Sequence, residues 1–446
     1  MINIEYKPYS IDTSYLFPPS LGDFLGPNDE VHVFKEVTEH LDISYLDSDF
    51  NGMGQHPYHP LMLLRLLMWG MANRVMSTRR IKLLTRRDVS YIYLAGNQRP
   101  DYRTLARFRR RNAKEIKKLF KQTVLLCARL GMINLGHVAL DGTKLKANTS
   151  KHKAMSYVRM KGEEERLERE IEELMLKAEE TDREEDRFFG EDNNGYNLPE
   201  ELQRREERLN KIRQLKEELE REKRQEQGLK EEEMPQIEDK EQRSFADRDA
   251  RMMLMKRGEF DYAYNAQACV DDGHGVIVAA ELSNNASDRR HLPGLVKEVR
   301  ELRGELEKEN KDKTVMTADN GYFSIKNIEH EGEGIELLIA SGREGKEKRN
   351  RQTPLVNRKQ IMKAEMRARL KKPENQAIYR RRKWVVEQVI GQIKEGMGFR
   401  GVTMRGKLFA LAQWLIACAV HNLMKAVRFI AELRKLRTME VVTEAA

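Results

Sequence analysis

Apolar residues recur at helical spacing through the first third of this 446-residue chain. The run that begins at His59 predicts a strongly apolar helix, with Pro60 suited to its first turn because proline lacks the N–H that this turn would leave unbonded. After Asp101 the pattern predicts one long amphipathic helix that continues to Cys127, with arginines on its polar face. Residues 56–132 are therefore expected to form an all-helical domain.

Short apolar runs further along the chain are typical of buried strands. Two of them end at Asp141 and Asp319, and a glycine follows each aspartate within two residues, where it allows a sharp turn beside the carboxylate. Alternation over residues 263–280, broken by an Asp-Gly pair, predicts a β-hairpin, and a further strand is expected over residues 335–340. Helical periodicity returns around Glu387. This order of elements predicts a mixed α+β and α/β fold in which helices flank a mixed sheet.

A highly charged segment interrupts the predicted sheet soon after its first strand. Leucine and isoleucine recur at coiled-coil spacing over residues 157–180 and again over residues 200–227, which predicts two helices in an antiparallel hairpin. A single extended or partly disordered segment is the alternative. The expected domains are an N-terminal extension at 1–55, the helical domain at 56–132, the α/β domain at 133–150 and 245–435, the inserted hairpin at 151–244 and a tail at 436–446.

The net charge of +9 conceals a strong asymmetry along the chain. Residues 161–240 carry 17 Lys and Arg against 29 Asp and Glu, whereas the rest of the chain has a net charge of +21. Such a basic surface favours a polyanionic partner, since neutralising phosphates releases counterions. Solubility is the other explanation of the charge.

The positive charge is concentrated in two regions. Residues 79–120 contain 14 Lys and Arg against three acids, and residues 342–394 contain 17 against five. A helix-turn-helix-like unit in the first region would turn arginines toward DNA, and a phosphate groove in the second would lead toward Glu387. An ordinary solvated helix face is the alternative for both. The first region's candidate DNA contacts are Arg79, Arg80, Arg103, Arg107, Arg109 and Arg110.

Three carboxylates supply the candidate chemistry, namely Asp141, Asp319 and Glu387. If the fold brings them together, their oxygen atoms form a site for hard divalent cations such as Mg²⁺. Two such ions can promote phosphodiester cleavage, one by activating water and the other by supporting the leaving oxygen. Glu387 and Lys394 lie on one side of the predicted helix, so both are expected to face the sheet. Ordinary turns at the aspartates and a salt bridge at Glu387 are the structural alternatives.

The cysteines and the apolar stretches give expectations about the compartment. Three cysteines in apolar contexts fit neither a disulfide framework nor a zinc site, so buried thiols in a reducing compartment are expected. From the sequence, no apolar stretch is expected to reach the roughly 20 residues of a transmembrane helix, and the N-terminus has no signal pattern. We therefore expect a cytoplasmic protein.

Short motifs follow one another along the chain in a specific order. They are His59-Pro60-Leu61-Met62-Leu63-Leu64, Ser77-Thr78-Arg79-Arg80, Arg99-Pro100-Asp101-Tyr102-Arg103, Leu140-Asp141-Gly142-Thr143-Lys144, Tyr264-Asn265-Ala266-Gln267, Ala318-Asp319-Asn320-Gly321-Tyr322 and Tyr379-Arg380-Arg381-Arg382-Lys383-Trp384-Val385-Val386-Glu387. In this order they resemble the DDE transposases of bacterial insertion sequences, in the branch with an InsH-like helical N-terminal domain. The resemblance runs from about His56 to Leu423 and is interrupted by the charged hairpin.

The resemblance implies an RNase H-like catalytic core in which Asp141, Asp319 and Glu387 are catalytic and bind Mg²⁺, with Mn²⁺ able to substitute. The implied activity is metal-dependent DNA cleavage followed by transfer of the 3′-hydroxyl strand to target DNA, in the bacterial cytoplasm at the nucleoid. The implied partners are double-stranded DNA, as terminal inverted repeats and as target, and a second copy of the chain in a dimer on that DNA, with no membrane. A metal-dependent nuclease on the same scaffold and a non-catalytic DNA-binding coiled-coil protein are the other two functions considered.

One part of the sequence departs from the family pattern. Some relatives carry a tyrosine, an arginine and a lysine at fixed spacing around the glutamate. Lys394 matches that spacing, whereas Tyr379 and Arg382 each lie one place further upstream and Lys383 stands at the usual arginine position. These four residues are the predicted DNA contacts of the second basic region.

Overall fold

The computed structural model describes residues 20–46, 56–189, 200–256, 258–306, 313–342 and 357–444. The helices of its N-terminal part are α1 (Glu30–Glu39), α2 (Pro60–Ala72), α3 (Thr78–Leu84), α4 (Val89–Leu94), α5 (Tyr102–Arg111) and α6 (Ile116–Arg129). Pro60 occupies the first turn of α2, as predicted. Residues 1–19 and 47–55 of the predicted extension lie outside the described residues.

The long helix predicted after Asp101 is instead two helices. α5 ends at Arg111, a short 3₁₀ turn follows, and α6 begins at Ile116. The side chain of Asn112 donates a hydrogen bond to the Phe108 carbonyl at 3.0 Å. Because asparagine side chains compete with the backbone for such bonds, they favour a helix end over a helix interior. The prediction of one continuous helix was therefore wrong.

The strands form a mixed sheet and a small two-stranded sheet. They are β1 (His137–Lys146), β2 (Ala154–Ser156), β3 (Gln242–Ser244), β4 (Arg251–Leu254), β5 (Phe260–Asp271), β6 (Ile277–Ser283), β7 (Thr314–Ala318) and β8 (Ile335–Ile339). In the main sheet the order is β4-β5-β1-β7-β8, and β6 also pairs with β5. β5 runs antiparallel to β1, β4 and β6, whereas β1, β7 and β8 are parallel. The predicted hairpin and further strand are confirmed, and the sheet is compatible with an RNase H-like core.

The helices described after the N-terminal part are α7 (Tyr157–Phe189), α8 (Glu200–Gln227), α9 (Leu292–Glu305), α10 (Ile325–Ile328), α11 (Arg358–Lys371), α12 (Pro373–Gly391) and α13 (Lys407–Glu444).

The charged insertion folds as two long antiparallel helices, α7 and α8. Leu167 of α7 and Ile212 of α8 belong to one buried apolar cluster, and Glu164 of α7 lies 3.2 Å from the Arg213 guanidinium of α8. β2 pairs with β3 at the base of the hairpin. The alternative of an extended segment is therefore wrong for the described part of the insertion.

α13 joins the N-terminal helices to the sheet. It packs against α1, α2 and α6 on one side and against β6 on the other, so that one apolar core runs through both parts. The stretch Lys407–Leu436 is apolar enough and long enough to cross a membrane by composition and length, which corrects the expectation from the sequence. Two thirds of its apolar window (67%) is buried inside the protein, as in the core helix of a soluble protein.

Candidate active site

Asp141 and Asp319 lie close to each other where β1 runs beside β7. The register of the two strands pairs Ala139 with Thr317, and Asp141 and Asp319 each follow two residues further along the chain. Residues that are level on neighbouring strands point to the same face of a sheet, and the strands are about 4.8 Å apart. The fold therefore brings together two of the three predicted carboxylates.

The two aspartates differ in their position along the strands. β7 ends at Ala318, so Asp319 directly follows a strand end, as predicted. β1 continues to Lys146, however, because it stays paired with β5 and Gly142 lies opposite Gln267. Asp141 is thus in the middle of its strand, and the predicted sharp turn beside it was wrong.

The glycines after the aspartates serve close packing and hydrogen bonding. Gly142 N donates to Asp141 Oδ1, and Gly321 N donates to Asp319 Oδ1, each at 2.8 Å. A Cβ atom on Gly142 would lie 2.5 Å from Gln267 Nε2, and one on Gly321 would lie 2.9 Å from Asp319 Oδ1. Each carboxylate is therefore fixed through its Oδ1 oxygen.

An arginine supplies positive charge beside Asp141. Arg382 Nη1 lies 3.7 Å from Asp141 Oδ2, and the two side chains are only 13% and 25% exposed. The pKa of Asp141 is raised to about 6, mainly by burial and also by the negative charge of Asp319, although the Gly142 N–H and the Arg382 charge act to lower it. Because burial and like charge disfavour the carboxylate, ionised Asp141 favours a cation as its neighbour.

Glu387 does not lie beside the two aspartates. On α12, Arg382 reaches Asp141, and Lys394 Nζ donates to the Lys144 carbonyl at 3.1 Å, yet Glu387 between them is exposed. Among the described residues, no group of three His, Cys, Asp or Glu side chains is placed to hold a metal ion. Lys394 lies in a π-helical turn at Gln392–Gly396, whereas Glu387 lies in the α-helical part of α12 that precedes it. Only Lys394 therefore faces the sheet, and the three-carboxylate metal site stays a prediction.

A buried network of polar side chains lies next to the aspartates, and the sequence had not led us to expect it. Asn265 and Gln267 are fully buried on β5, and both donate hydrogen bonds to Asp288 Oδ1. Two amides at alternate positions of an otherwise apolar strand were the available signal, since they share one face. No local pattern marks Asp288, whose role depends on how the chain folds back after β6.

Two matches to protein-family models bear on these observations. Residues 201–423 match a model described as "Transposase DDE domain", and residues 20–111 match one described as "Transposase domain (DUF772)". The chain belongs to the DDE transposase family. The first match includes Asp319 and Glu387, whereas Asp141 lies upstream of it. No curated protein and no solved structure shows a significant match.

Membership of the family implies a DNA substrate, and DDE transposases generally use divalent metal ions. Three of the predicted arginines in the transposase's N-terminal region share a groove. Arg79, Arg80 and Arg109 line one groove of about 690 Å³, together with Tyr102 and Thr403. The Arg79 guanidinium lies 4.9 Å from the Tyr102 ring centroid. This groove has the positive charge and the aromatic surface that favour a DNA backbone.

The other predicted arginines of α5 have different surroundings. Arg103 and Arg107 are exposed, and Arg103 Nε donates to the Tyr102 hydroxyl at 3.2 Å. Arg110 turns toward α13, where its guanidinium lies 5.3 Å from the Phe409 ring centroid. Arg103, Arg107 and Arg110 are three or four residues apart and so share one exposed face of α5, whereas Arg109 lies in the groove.

The predicted DNA contacts of the second basic region lie on α12 and on the turn that follows it. Tyr379 donates through its hydroxyl to the Ala318 carbonyl at 3.3 Å, and its ring lies 5.6 Å from the Arg382 guanidinium. Lys383 is exposed, and so is Trp384, whose exposed fraction of 81% is high for a tryptophan. The helix therefore presents one half to the aspartates and a basic, aromatic half to solvent.

Proposed function

We propose that this transposase binds the ends of its DNA element, cleaves the DNA there and joins the freed 3′-hydroxyl to target DNA. The observation that supports this most directly is the pair formed by Asp141 on β1 and Asp319 just after the neighbouring strand β7, each fixed through one oxygen. Two carboxylates held so close together are the arrangement expected where cations stabilise charge on a reacting phosphate.

The donor set fits a hard divalent cation. Asp141, Asp319 and Glu387 would hold Mg²⁺, or Mn²⁺ in its place, since carboxylate oxygens are the ligands such ions prefer. When bound, the metal would activate water and neutralise charge on the phosphate. Because Glu387 is exposed on α12, its carboxylate joins the pair in this proposal only when DNA and metal are bound.

The chain's own cations orient the DNA strand at this site. Arg382 is held between the Tyr379 ring and Asp141, so its guanidinium is positioned to contact a phosphate oxygen beside the aspartates. Lys394 uses one of its three donors on the Lys144 carbonyl, which leaves further donors for a second phosphate. The groove lined by Arg79, Arg80 and Arg109 would hold duplex DNA further from the site.

The test uses a library of DNA ends incubated with the full-length chain and Mg²⁺, with both cut and joined products sequenced. The variants are Asp141→Asn, Asp319→Asn and Glu387→Gln, and the matched control is Glu374→Gln, an exposed acid in the first turn of the same helix as Glu387. We expect each active-site variant to lose cleavage by about a thousandfold or more while DNA binding stays within about twofold, because the carboxylates act on the reacting phosphate. The control should cleave like the wild type.

The products separate the possible activities. Joined products that carry the 3′-end of the element support strand transfer, whereas cut products without joining indicate a nuclease. Cleavage that persists in both Asp141→Asn and Asp319→Asn would refute the assignment of the active site. DNA binding with no metal-dependent product from the wild type would refute catalysis.

A further inference from the structure

Asp288 lies at the centre of the polar network next to the aspartate pair. It begins a short 3₁₀ turn that follows β6, and its side chain is 29% exposed. Its Oδ1 accepts hydrogen bonds from Asn265 Nδ2 at 2.7 Å and Gln267 Nε2 at 3.0 Å, and it lies 3.3 Å from Lys144 Nζ. Three donors on one oxygen fix the orientation of this carboxylate.

The second oxygen of Asp288 borders the same space as Asp319. A Cβ atom on Gly321 would lie 2.9 Å from Asp319 Oδ1 and 3.3 Å from Asp288 Oδ2. The two carboxylates are therefore neighbours across Gly321. The charge of Asp288 also helps to raise the pKa of Asp141, although burial is the largest cause.

The network around Asp288 reaches β1, which carries Asp141, and the turn after β7, which follows Asp319. Lys144 belongs to β1, and its Nζ also donates to the Ala286 carbonyl at 3.0 Å, in the loop that leads to Asp288. Gln267 packs against Gly142 of β1 and accepts a hydrogen bond from the Tyr322 hydroxyl, in the turn after β7. Removing Asp288 would therefore release donors that connect β1 to the turn carrying the second aspartate.

We propose that Asp288 is a positioning residue of the active site. It holds the turn after β7 in register with β1 and keeps a third negative charge beside Asp141 and Asp319, so that this pair binds a divalent cation tightly. The inference rests on the proposed function. It differs from a purely structural role, because a residue that only stabilises the fold would not change metal affinity in the folded protein.

The experiment compares Asp288→Asn with a matched control in the full-length chain. Asparagine has the same shape and keeps an oxygen for the three donors, but it removes the charge. The control is Asp271→Asn, a buried carboxylate on β5 that accepts backbone N–H groups from Leu135 and Gly273 at 2.8 and 3.0 Å. For each protein we would measure the calorimetric Kd for Mn²⁺ without DNA, the Mg²⁺ concentration that gives half-maximal cleavage of a DNA end, and the Tm.

We expect Asp288→Asn to raise both the Mn²⁺ Kd and the half-maximal Mg²⁺ concentration by about tenfold, as is typical when a residue that orients metal ligands is altered. Its affinity for DNA should stay within about twofold. Asp271→Asn should lower the Tm without changing either metal value. Restoring the charge in Asp288→Glu should recover part of the metal affinity.

The outcomes distinguish this inference from the proposed function. If the wild type binds Mn²⁺ and cleaves DNA while Asp288→Asn shows the same metal values and only a lower Tm, the positioning role is refuted and the proposed function stands. If the wild type neither binds Mn²⁺ nor cleaves, the proposed function fails, and the positioning role fails with it. If metal binding weakens in Asp288→Asn although no cleavage is found in the wild type, the positioning role stands without the catalytic assignment.

Discussion

Asp141→Asn should make the metal-free protein more stable while abolishing its proposed activity. The pKa of Asp141 is raised from 3.8 to about 6 in the folded chain, mainly by burial. A shift of roughly two pKa units corresponds to about 3 kcal/mol of unfolding free energy lost once the carboxylate is ionised. Asparagine has no charge to bury, so the variant should recover about this amount.

The sign of the effect depends on pH. Below the unfolded pKa of 3.8 the carboxyl group is protonated in both states, so Asp141 imposes no penalty. As the pH rises from there to about 6, the unfolded chain releases its proton while the folded chain retains it, and stability falls. Near pH 8 the full penalty of about 3 kcal/mol applies, whereas near pH 4.5 only about 1 kcal/mol applies.

Scanning calorimetry in EDTA at both pH values would measure this difference. With an unfolding entropy of about 2.1 cal/mol/K per residue, 3 kcal/mol corresponds to a Tm increase of about 3 °C for this chain length. Asp101→Asn is the control with the opposite sign, because a hydrogen bond from Lys82 lowers the pKa of Asp101. A Tm for Asp141→Asn that equals the wild-type Tm near pH 8, or that rises equally at both pH values, would refute the reasoning.

Three further perturbations test other parts of the structure. Gly142→Ala should lower the free energy of unfolding by about 1–3 kcal/mol and abolish cleavage, since its Cβ would overlap Gln267. Gly162→Ala, in open space on α7, should raise the free energy of unfolding by about 0.5–1 kcal/mol, and thermal unfolding would measure both changes. DNA binding should quench the fluorescence of the exposed Trp384 and leave that of the other two tryptophans, which are buried, largely unchanged. A Trp384→Phe variant that keeps the full quenching would contradict DNA binding at α12. Burial lowers the pKa of His421 to about 3, so the free energy of unfolding should fall as the pH drops below 6.5. His421→Gln should remove roughly 2 kcal/mol of that loss near pH 5. A dependence of Tm on pH that is the same in the variant and the wild type would contradict this prediction.

Local elements were predictable because their signals are local. Pro60 acts within the first turn of its helix, so α2 begins where the proline predicts it. The heptad spacing of the insertion likewise predicted α7 and α8, since each helix can bury its apolar stripe only against a partner. The break at Asn112 was missed because one side-chain hydrogen bond decided it.

The candidate active site was predictable only in part. Local pattern was enough to place Asp141 and Asp319 beside apolar strands, with a glycine after each. The folded chain was needed to show that β1 continues past Asp141, that Arg382 lies beside it while Glu387 is exposed, and that Asp288 joins the network. These features depend on the pairing of β1 with β5, on the packing of α12 against the sheet and on a loop that returns across the sheet, and such long-range contacts leave no periodic signal along the chain.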